Sequence, residues 1–445
     1  MRPETLNISE TIDGRPLGGF QKLVIGLCAL IAFVEGFDAQ SSGYVAPMLA
    51  RAWSLSHETM GLFFSLGLFG LMLGAMLIAP LADKFGRRPT LIACLVAFGL
   101  SSIGMALSSS IEILFVFRFL TGLGLGGAMP NVIALTSEYV PHRIRSLMVV
   151  LMFNGFILGS IIAGVTASRL AANFGYQPVF LIGGILPLVL VAGMIVLLPE
   201  SVRFLPSKSG QQHRVAGLMQ KIDPLLPANA VYVLDDHSAS RMSVQALFQN
   251  GRAMRTILLW ILVFCSLLDL FLLTNWLPTQ IERLGVPLGV AILLGTLLQV
   301  GGMVGIVQGW MVDKWGPART LTLAYLIAAI AIAGLAHAGS NVPMLAVAVF
   351  CAGFGIVGGQ TAANPVAVVT YPTEIRSTGV GWFLGVGRLG SIVGPVLAGH
   401  LLTIGWGNKD IFMLATIPAL VAAAAAFGLS HFKGEATASE QSTGH

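Results

Sequence analysis

Apolar residues run through this chain in blocks about as long as a bilayer-crossing helix, which needs about 20 of them. Twelve blocks can be marked, at about 22–48, 57–82, 89–107, 111–139, 144–170, 176–198, 254–281, 288–312, 320–338, 342–371, 375–403 and 409–431. The pattern predicts an all-α membrane protein of twelve transmembrane helices. One long polar stretch, 199–253, interrupts it and carries Pro199, Glu200, Arg203, Asp235 and Asp236. The expected layout is a tail 1–21, a six-helix bundle 22–198, a linker 199–253, a second bundle 254–431 and a tail 432–445. Residues 1–20 are polar, and the first apolar block is too long for a signal-peptide core, so no cleaved signal is expected.

Charge placement adds an orientation. With the N-terminus in the cytoplasm, 19 of the 25 Lys and Arg residues fall in cytoplasmic segments. Four (Arg51, Arg169, Arg283 and Lys409) fall in outer loops, and Arg118 and Arg388 lie inside apolar blocks. By the positive-inside rule both termini and the linker are cytoplasmic. Composition agrees with a lipid environment: 55% of residues are hydrophobic and 10% charged, against about 25% charged in soluble domains. A soluble protein so poor in charge would expose large apolar patches and associate. The net charge of +5 raises the question of nucleic acid. The basic residues sit in short loops rather than one patch, so no nucleic-acid partner is expected. Cys28, Cys94, Cys265 and Cys351 lie in apolar blocks without a CxxC or His-rich neighbour, which predicts neither a disulfide framework nor a metal site.

The two halves repeat. At an offset of 231, Asp38 matches Asp269, Pro47 matches Pro278, and Gly122 and Gly124 match Gly353 and Gly355. Arg145-Ser146 matches Arg376-Ser377, and Leu158 to Ile161 matches Leu389 to Ile392; Asp83-Lys84 matches Asp313-Lys314 at 230. Matches in order at nearly one offset indicate a duplication. Internal repeats of this kind place a substrate site near the bilayer midplane between the halves.

The loop after the second block reads Ala79-Pro80-Leu81-Ala82-Asp83-Lys84-Phe85-Gly86-Arg87-Arg88, with a second copy from Gly309 through Asp313 to Arg319. It resembles the G-x-L-A-D-R-x-G-R-R loop of the major facilitator superfamily, with Ala79 at the usual glycine. The fourth block, from Leu114 through Arg118 to Thr121-Gly122-x-Gly124, looks like that family's second motif. Within the family, Glu35-Gly36-Phe37-Asp38 resembles the D-G-x-D motif of the aromatic acid:proton symporters. So do Arg118 with Gly126 to Asn131, Asn275 to Pro278, and Gly385 to Gly390. Glu35 replaces the motif's first Asp, a form similar to transporters of 3-(3-hydroxyphenyl)propionate.

Glu35 and Asp38 lie three residues apart and share one helix face. An ionised group at mid-bilayer costs about 2.5–3.5 kcal/mol or more, so the lower-cost state of such a pair keeps one acid protonated. Proton coupling is expected there, with Arg118 as partner; a permanent ion pair with Arg118 or Arg388 is the plainer reading. Arginine offers a planar fork suited to a carboxylate. Arg388, Asp38, Arg118, Asp269, Asn275, Phe37 and Gln360 are the candidate substrate contacts, and for Asp269 a simple pair with Arg388 is the alternative. Trp276, near a helix end, reads first as an interfacial belt residue. The resemblance implies a cytoplasmic gating network from Asp83, Arg87, Arg88, Glu138, Asp313 and Arg376; topology-setting charge would also explain the arginines.

The resemblance therefore implies proton-coupled uptake of an aromatic carboxylic acid, by alternating access, across a bacterial inner membrane. The partners are a small aromatic carboxylate, protons and lipid; the chain is expected to be monomeric, to use no cofactor beyond the proton gradient and not to be an enzyme. A proton-coupled exporter is the alternative. Such exporters often carry a proline in a fifth-helix glycine run, and Gly155 to Gly164 has none. A non-translocating receptor fits less well, because the loop motif is duplicated and no signalling domain is appended.

Overall fold

The computed structural model describes residues 5–207, 211–227, 230–233, 244–249, 251–372 and 375–431. Among them are twelve helices long and apolar enough to span a membrane. They are α1 (Gly19–Ala52), α2 (His57–Phe85), α3 (Arg87–Ala106), α4 (Ile111–Glu138), α5 (His142–Leu170), α6 (Gln177–Leu197), α7 (Ala253–Arg283), α8 (Leu288–Val312), α9 (Pro317–His337), α10 (Val342–Val368), α11 (Thr378–Thr403) and α12 (Asn408–Leu429). Prolines stand inside α1, α4, α6, α7, α10, α11 and α12. Neighbouring helices and local adjustment allow membrane helices to absorb the lost backbone bond. Two such adjustments are five-residue π-turns, Gly74–Ile78 in α2 and Phe354–Gly358 in α10.

The sequence repeat returns as repeated contacts. A Cβ added at Gly159 of α5 would stand 1.9 Å from the carbonyl oxygen of Phe33 in α1. One added at Gly390 of α11 would stand 2.2 Å from that of Phe264 in α7. Gly122 meets the Gly67 carbonyl at 2.0 Å, and Gly353 meets that of Leu298 at 2.0 Å. Both partners in each comparison are 231 residues apart. Small residues let the backbones touch, which is how helices associate where lipid removes the hydrophobic drive.

The chain forms two compact units. One comprises Met1–Ser41, Leu66–Ala163 and Tyr176–His237; the other comprises Ser42–Ser65, Gly164–Gly175 and Ser238–His445. The division does not follow the two halves of the sequence. The C-terminal part of α1, the start of α2 and the end of α5 belong with α7 to α12.

In the first unit the expected polar tail and linker are partly folded. A strand β1 (Thr5–Asn7) pairs in parallel with β2 (Val231–Val233), with Leu6 opposite Tyr232. Asn7 Oδ1 caps the helix Ile8–Asp13 by accepting from Ser9 N at 2.9 Å and Glu10 N at 3.4 Å. A second helix, Gln212–Ile222, follows. Ile8, Ile12, Val215, Met219 and Tyr232 join one buried cluster with Val24, Leu95, Val132 and Met194 of the spanning helices. Arg15 Nε pairs with Asp223 Oδ2 at 2.6 Å, tying tail to linker. Asp235 and Asp236 lie outside the described residues.

Candidate functional site

In the first unit, α1 carries Glu35, Phe37 and Asp38, all nearly or fully buried. Asp38 lies within electrostatic reach of Arg118 on α4, itself 4% exposed. Gly67 of α2 makes the room: a Cβ there would stand 2.4 Å from Arg118 Nε and 2.7 Å from Cζ. Ser102 of α3 places its Oγ 2.9 Å from Asp38 Oδ1 and 3.0 Å from the Phe180 carbonyl oxygen of α6. Gly183 closes the space, its would-be Cβ 3.2 Å from Asp38 Oδ1.

This geometry serves both protonation states of Asp38. One hydroxyl proton can reach only one acceptor at a time. When Asp38 is ionised, Ser102 donates to it and Arg118 balances its charge. When Asp38 holds a proton, its O–H donates to Ser102, and Ser102 donates onward to Phe180. Glu35 has no such arrangement: its Oε1 is buried without a hydrogen-bond partner. Ionising it would leave an uncompensated buried charge.

In the second unit, Asp269 and Asn275 stand on α7, Gln360 on α10 and Arg388 on α11. Asp269 is 1% exposed, and neither carboxylate oxygen has a hydrogen-bond partner. It makes no ion pair with Arg388, so the simple-pair alternative is not what the structure holds. Asn275 Nδ2 donates to the Phe271 carbonyl at 2.7 Å along its own helix. Gln360 is half-buried, with Oε1 unpartnered. Trp276 differs from the belt expectation: it is 2% exposed, and its Nε1 donates to the Pro395 carbonyl of α11 at 3.1 Å.

The same unit packs the C-terminal part of α1 and the start of α2 onto α7 and α11. Arg51 pairs with Glu282, and Arg283 bonds His57. Ser65 Oγ donates to the Ile392 carbonyl at 2.7 Å. The Trp276 ring meets Phe64 edge-on at 5.5 Å and His57 at 6.1 Å. Gly43 abuts the Thr274 carbonyl at 2.5 Å, and Gly61 the Pro395 carbonyl at 2.7 Å, measured from the Cβ each lacks.

Elsewhere in the first unit, Arg87 Nη2 pairs with Glu138 Oε1 at 2.8 Å, and Ser201 Oγ donates to Glu138 Oε2 at 2.5 Å. Glu200 Oε1 accepts from the backbone N–H of Arg87 at 2.8 Å and of Arg88 at 3.2 Å. Its carboxylate covers Gly86, whose φ of 104° and 2.4 Å clearance to Glu200 Oε2 both exclude a side chain. Gly316, the repeat partner, is also left-handed, at φ 85°. Tyr139 donates to the Glu200 carbonyl at 2.6 Å, and burial pushes its phenol well above the usual value, so it stays a donor at neutral pH. Asp83 is exposed and joins no ion pair among the described residues. Arg376 Nε donates to the Tyr371 carbonyl at 3.3 Å. The side chain of Asp313 lies outside the described residues. No three His, Cys, Asp or Glu side chains gather as metal ligands among the described residues.

Residues 28–342 and 306–444 match the Major Facilitator Superfamily. The chain belongs to that superfamily. It is 38% identical over 95% of its length to the 4-hydroxybenzoate transporter PcaK of Pseudomonas aeruginosa, also covering 95% of that protein. It is 37% identical to the gallate transporter of Pseudomonas putida, covering 97% of each. With the 3-(3-hydroxy-phenyl)propionate transporter of Escherichia coli it shares 36% identity, covering 91% of this chain and 93% of the other. The crystal structure of a D-xylose–proton symporter superposes with a TM-score of 0.72 at 18% identity, over 94% of this chain and 99% of that one, and supports the fold. As a superfamily member the chain is a multi-pass membrane transporter and not an enzyme.

Three groups around these sites were not singled out from sequence: Gly67, Ser102 and the Glu200–Ser201 pair. Glu200 was visible only as a charge in the linker. Ser102 and Gly67 gave no signal, because a serine or glycine in an apolar block is ordinary.

Proposed function

We propose that the protein takes up an aromatic carboxylic acid together with protons by alternating access, across a bacterial inner membrane with both termini in the cytoplasm. The observation that carries this reading is Asp38, a fully buried acid whose ionised and neutral forms both find partners, in Arg118, Ser102 and Phe180. A proton carrier must alternate between two tolerable states, and an acid locked in one cannot. Glu35, lacking donors, stays neutral and keeps the pair from carrying two negative charges. Arg388, half-buried and without a carboxylate partner among the described residues, receives the substrate carboxylate. The 36–38% identity to proteins named for 4-hydroxybenzoate, gallate and 3-(3-hydroxy-phenyl)propionate supports an aromatic acid as cargo. The Arg87–Glu138–Glu200 cluster and the packed ends of α1, α2, α7 and α11 supply the inner and outer gates.

The test is uptake of labelled hydroxybenzoates, gallate and phenylpropionates into proteoliposomes under an inward proton gradient, with a protonophore control. Concentrative, protonophore-sensitive uptake of one of these acids is expected, and the accumulation falls in Asp38→Asn. Uptake that equilibrates without regard to the gradient would refute proton coupling. Gradient-driven accumulation in D38N equal to that of the parent would refute the role of Asp38.

A further inference from the structure

Asp269 is the repeat partner of Asp38, yet it lives in different chemistry. Both its oxygens are buried without a hydrogen bond. The titratable groups around it are Cys265, one turn away on α7, and Tyr325 on α9. The Tyr325 hydroxyl is turned to Ser266 Oγ at 2.9 Å and does not serve the acid. An ionised carboxylate in that place would be an uncompensated buried charge. In this arrangement Asp269 therefore holds a proton.

The same unit also holds a cation, Arg388, that makes no ion pair among the described residues. Arg388 stays charged under any physiological condition, and its planar fork fits a carboxylate. The contacts of α7 with α11 give the spacing. Gly390 lies against the Phe264 carbonyl and Gly394 against that of Leu268, so the helices run parallel and Asp269 is level with Pro395. Arg388 comes seven residues before Pro395, about 10 Å along the axis at 1.5 Å per residue. A long side chain and a slide of about one turn, about 5.4 Å, close that gap.

We propose that Asp269 is a second proton-carrying acid of the cycle, competing with the substrate carboxylate for Arg388. This rests on the proton-symport reading above. While substrate occupies Arg388, Asp269 keeps its O–H bond. When substrate leaves toward the cytoplasm, the guanidinium takes up the Asp269 carboxylate, the O–H bond breaks, and the proton passes to water on that side. With the proton on Asp38, two protons then accompany each monoanionic acid. The loaded carrier moves one net positive charge inward, whereas a one-proton cycle is electroneutral.

The discriminating measurement is the response to membrane potential. Proteoliposomes are loaded for a tenfold potassium gradient with valinomycin, about 59 mV interior negative, at equal pH on both sides. The probe is labelled 4-hydroxybenzoate, or gallate or 3-(3-hydroxyphenyl)propionate where that is the acid carried. The parent protein is expected to accumulate it about tenfold, and about 100-fold under a tenfold proton gradient without potential. Asp269→Asn is expected to lose the response to potential and still accumulate about tenfold under the proton gradient. Asp269→Glu should keep both. A parent that follows the proton gradient but ignores potential overturns the second proton and leaves symport standing. A D269N variant that keeps its potential response overturns the assignment to Asp269. A parent driven by neither gradient overturns the symport reading with it. Should D269N fail to reach the membrane, the parent's potential response still decides the stoichiometry, and Asp269→Ser replaces it.

Discussion

Gly61→Val tests whether the packed outer ends act as a gate. A Cβ at Gly61 would stand 2.7 Å from the Pro395 carbonyl oxygen, 3.3 Å from Val396 Cα and 3.4 Å from Gly399 Cα. All three belong to the backbone of α11, so no side chain can swing aside, and α2 and α11 must part. Overpacking of this kind costs about 1–3 kcal/mol. In the alternating-access scheme the cost falls on the sealed arrangement, because the outward-open one separates these helices. The equilibrium then moves toward outer opening by about 5- to 150-fold. The assay is the labelling rate of one cysteine placed at Ala46, which is 2% exposed on the outer part of α1. The four native cysteines are replaced, and a membrane-impermeant maleimide is added from outside. Gly61→Val should raise the rate by that factor and Gly61→Ala by its lower end. Gly26→Ala, where a Cβ meets nothing within 4 Å, should leave it unchanged. A parental labelling rate in G61V, with parental amounts in the membrane, would show that the α2–α11 contact seals nothing.

Three further outcomes follow from measured contacts. Gly67→Ala should push the Arg118 guanidinium off its position, and a shift of about 1 Å can cost about 100-fold in activity; initial uptake rates should fall by that order while thermal unfolding stays near parental. Glu138→Gln removes the charge that Arg87 and Ser201 share, and hydrogen bonds to charged groups contribute about 1.5–3 kcal/mol. The melting temperature in detergent should therefore drop in E138Q, and by less in Ser201→Ala. Asn7→Ala deletes the cap of the first short helix, worth about 1 kcal/mol; amide hydrogen exchange across Ile8–Asp13 should quicken about fivefold, with uptake unaffected.

The twelve spans were legible because the bilayer imposes a length on apolar runs, and their ends shifted by only a few residues. The largest move was at the end of α1, at Ala52 where the apolar block ends at about 48; every other end moved by three residues or fewer. The small folded cluster formed by the tail and the linker was not legible. Its strands are three residues long, and its core joins Ile8 and Ile12 to Met219 and Tyr232 across some two hundred positions. No local period can announce a cluster assembled at that range. The two compact units were also beyond sequence reasoning. The repeat divides the chain at the linker, whereas packing at the outer ends draws Ser42–Ser65 and Gly164–Gly175 toward the second half.

The charged residues of the site were legible for the same reason as the spans: a charge in an apolar block is expensive, so its presence is informative. Their partners were not. The repeat makes Asp38 and Asp269 equivalent in sequence, and the structure makes them unlike. At the offset of 230 that relates Gly86 to Gly316, the position of Ser102 is held by Ile332, which is fully buried. Asp38 thus has a hydroxyl that can donate or accept, and neither oxygen of Asp269 has a hydrogen-bond partner. At 231 the position of Arg118 is held by Val349, also fully buried, so the cation of the second half has to come from α11 as Arg388. Duplication preserved the acids and the glycine contacts that fix the helices. Divergence at Ser102 and Arg118 gave the two acids unlike surroundings. On the proposed cycle they respond to different events, one to its Ser102 relay and one to the departure of a ligand from Arg388. Identical acids in identical surroundings would release their protons together and could not be coupled to successive steps.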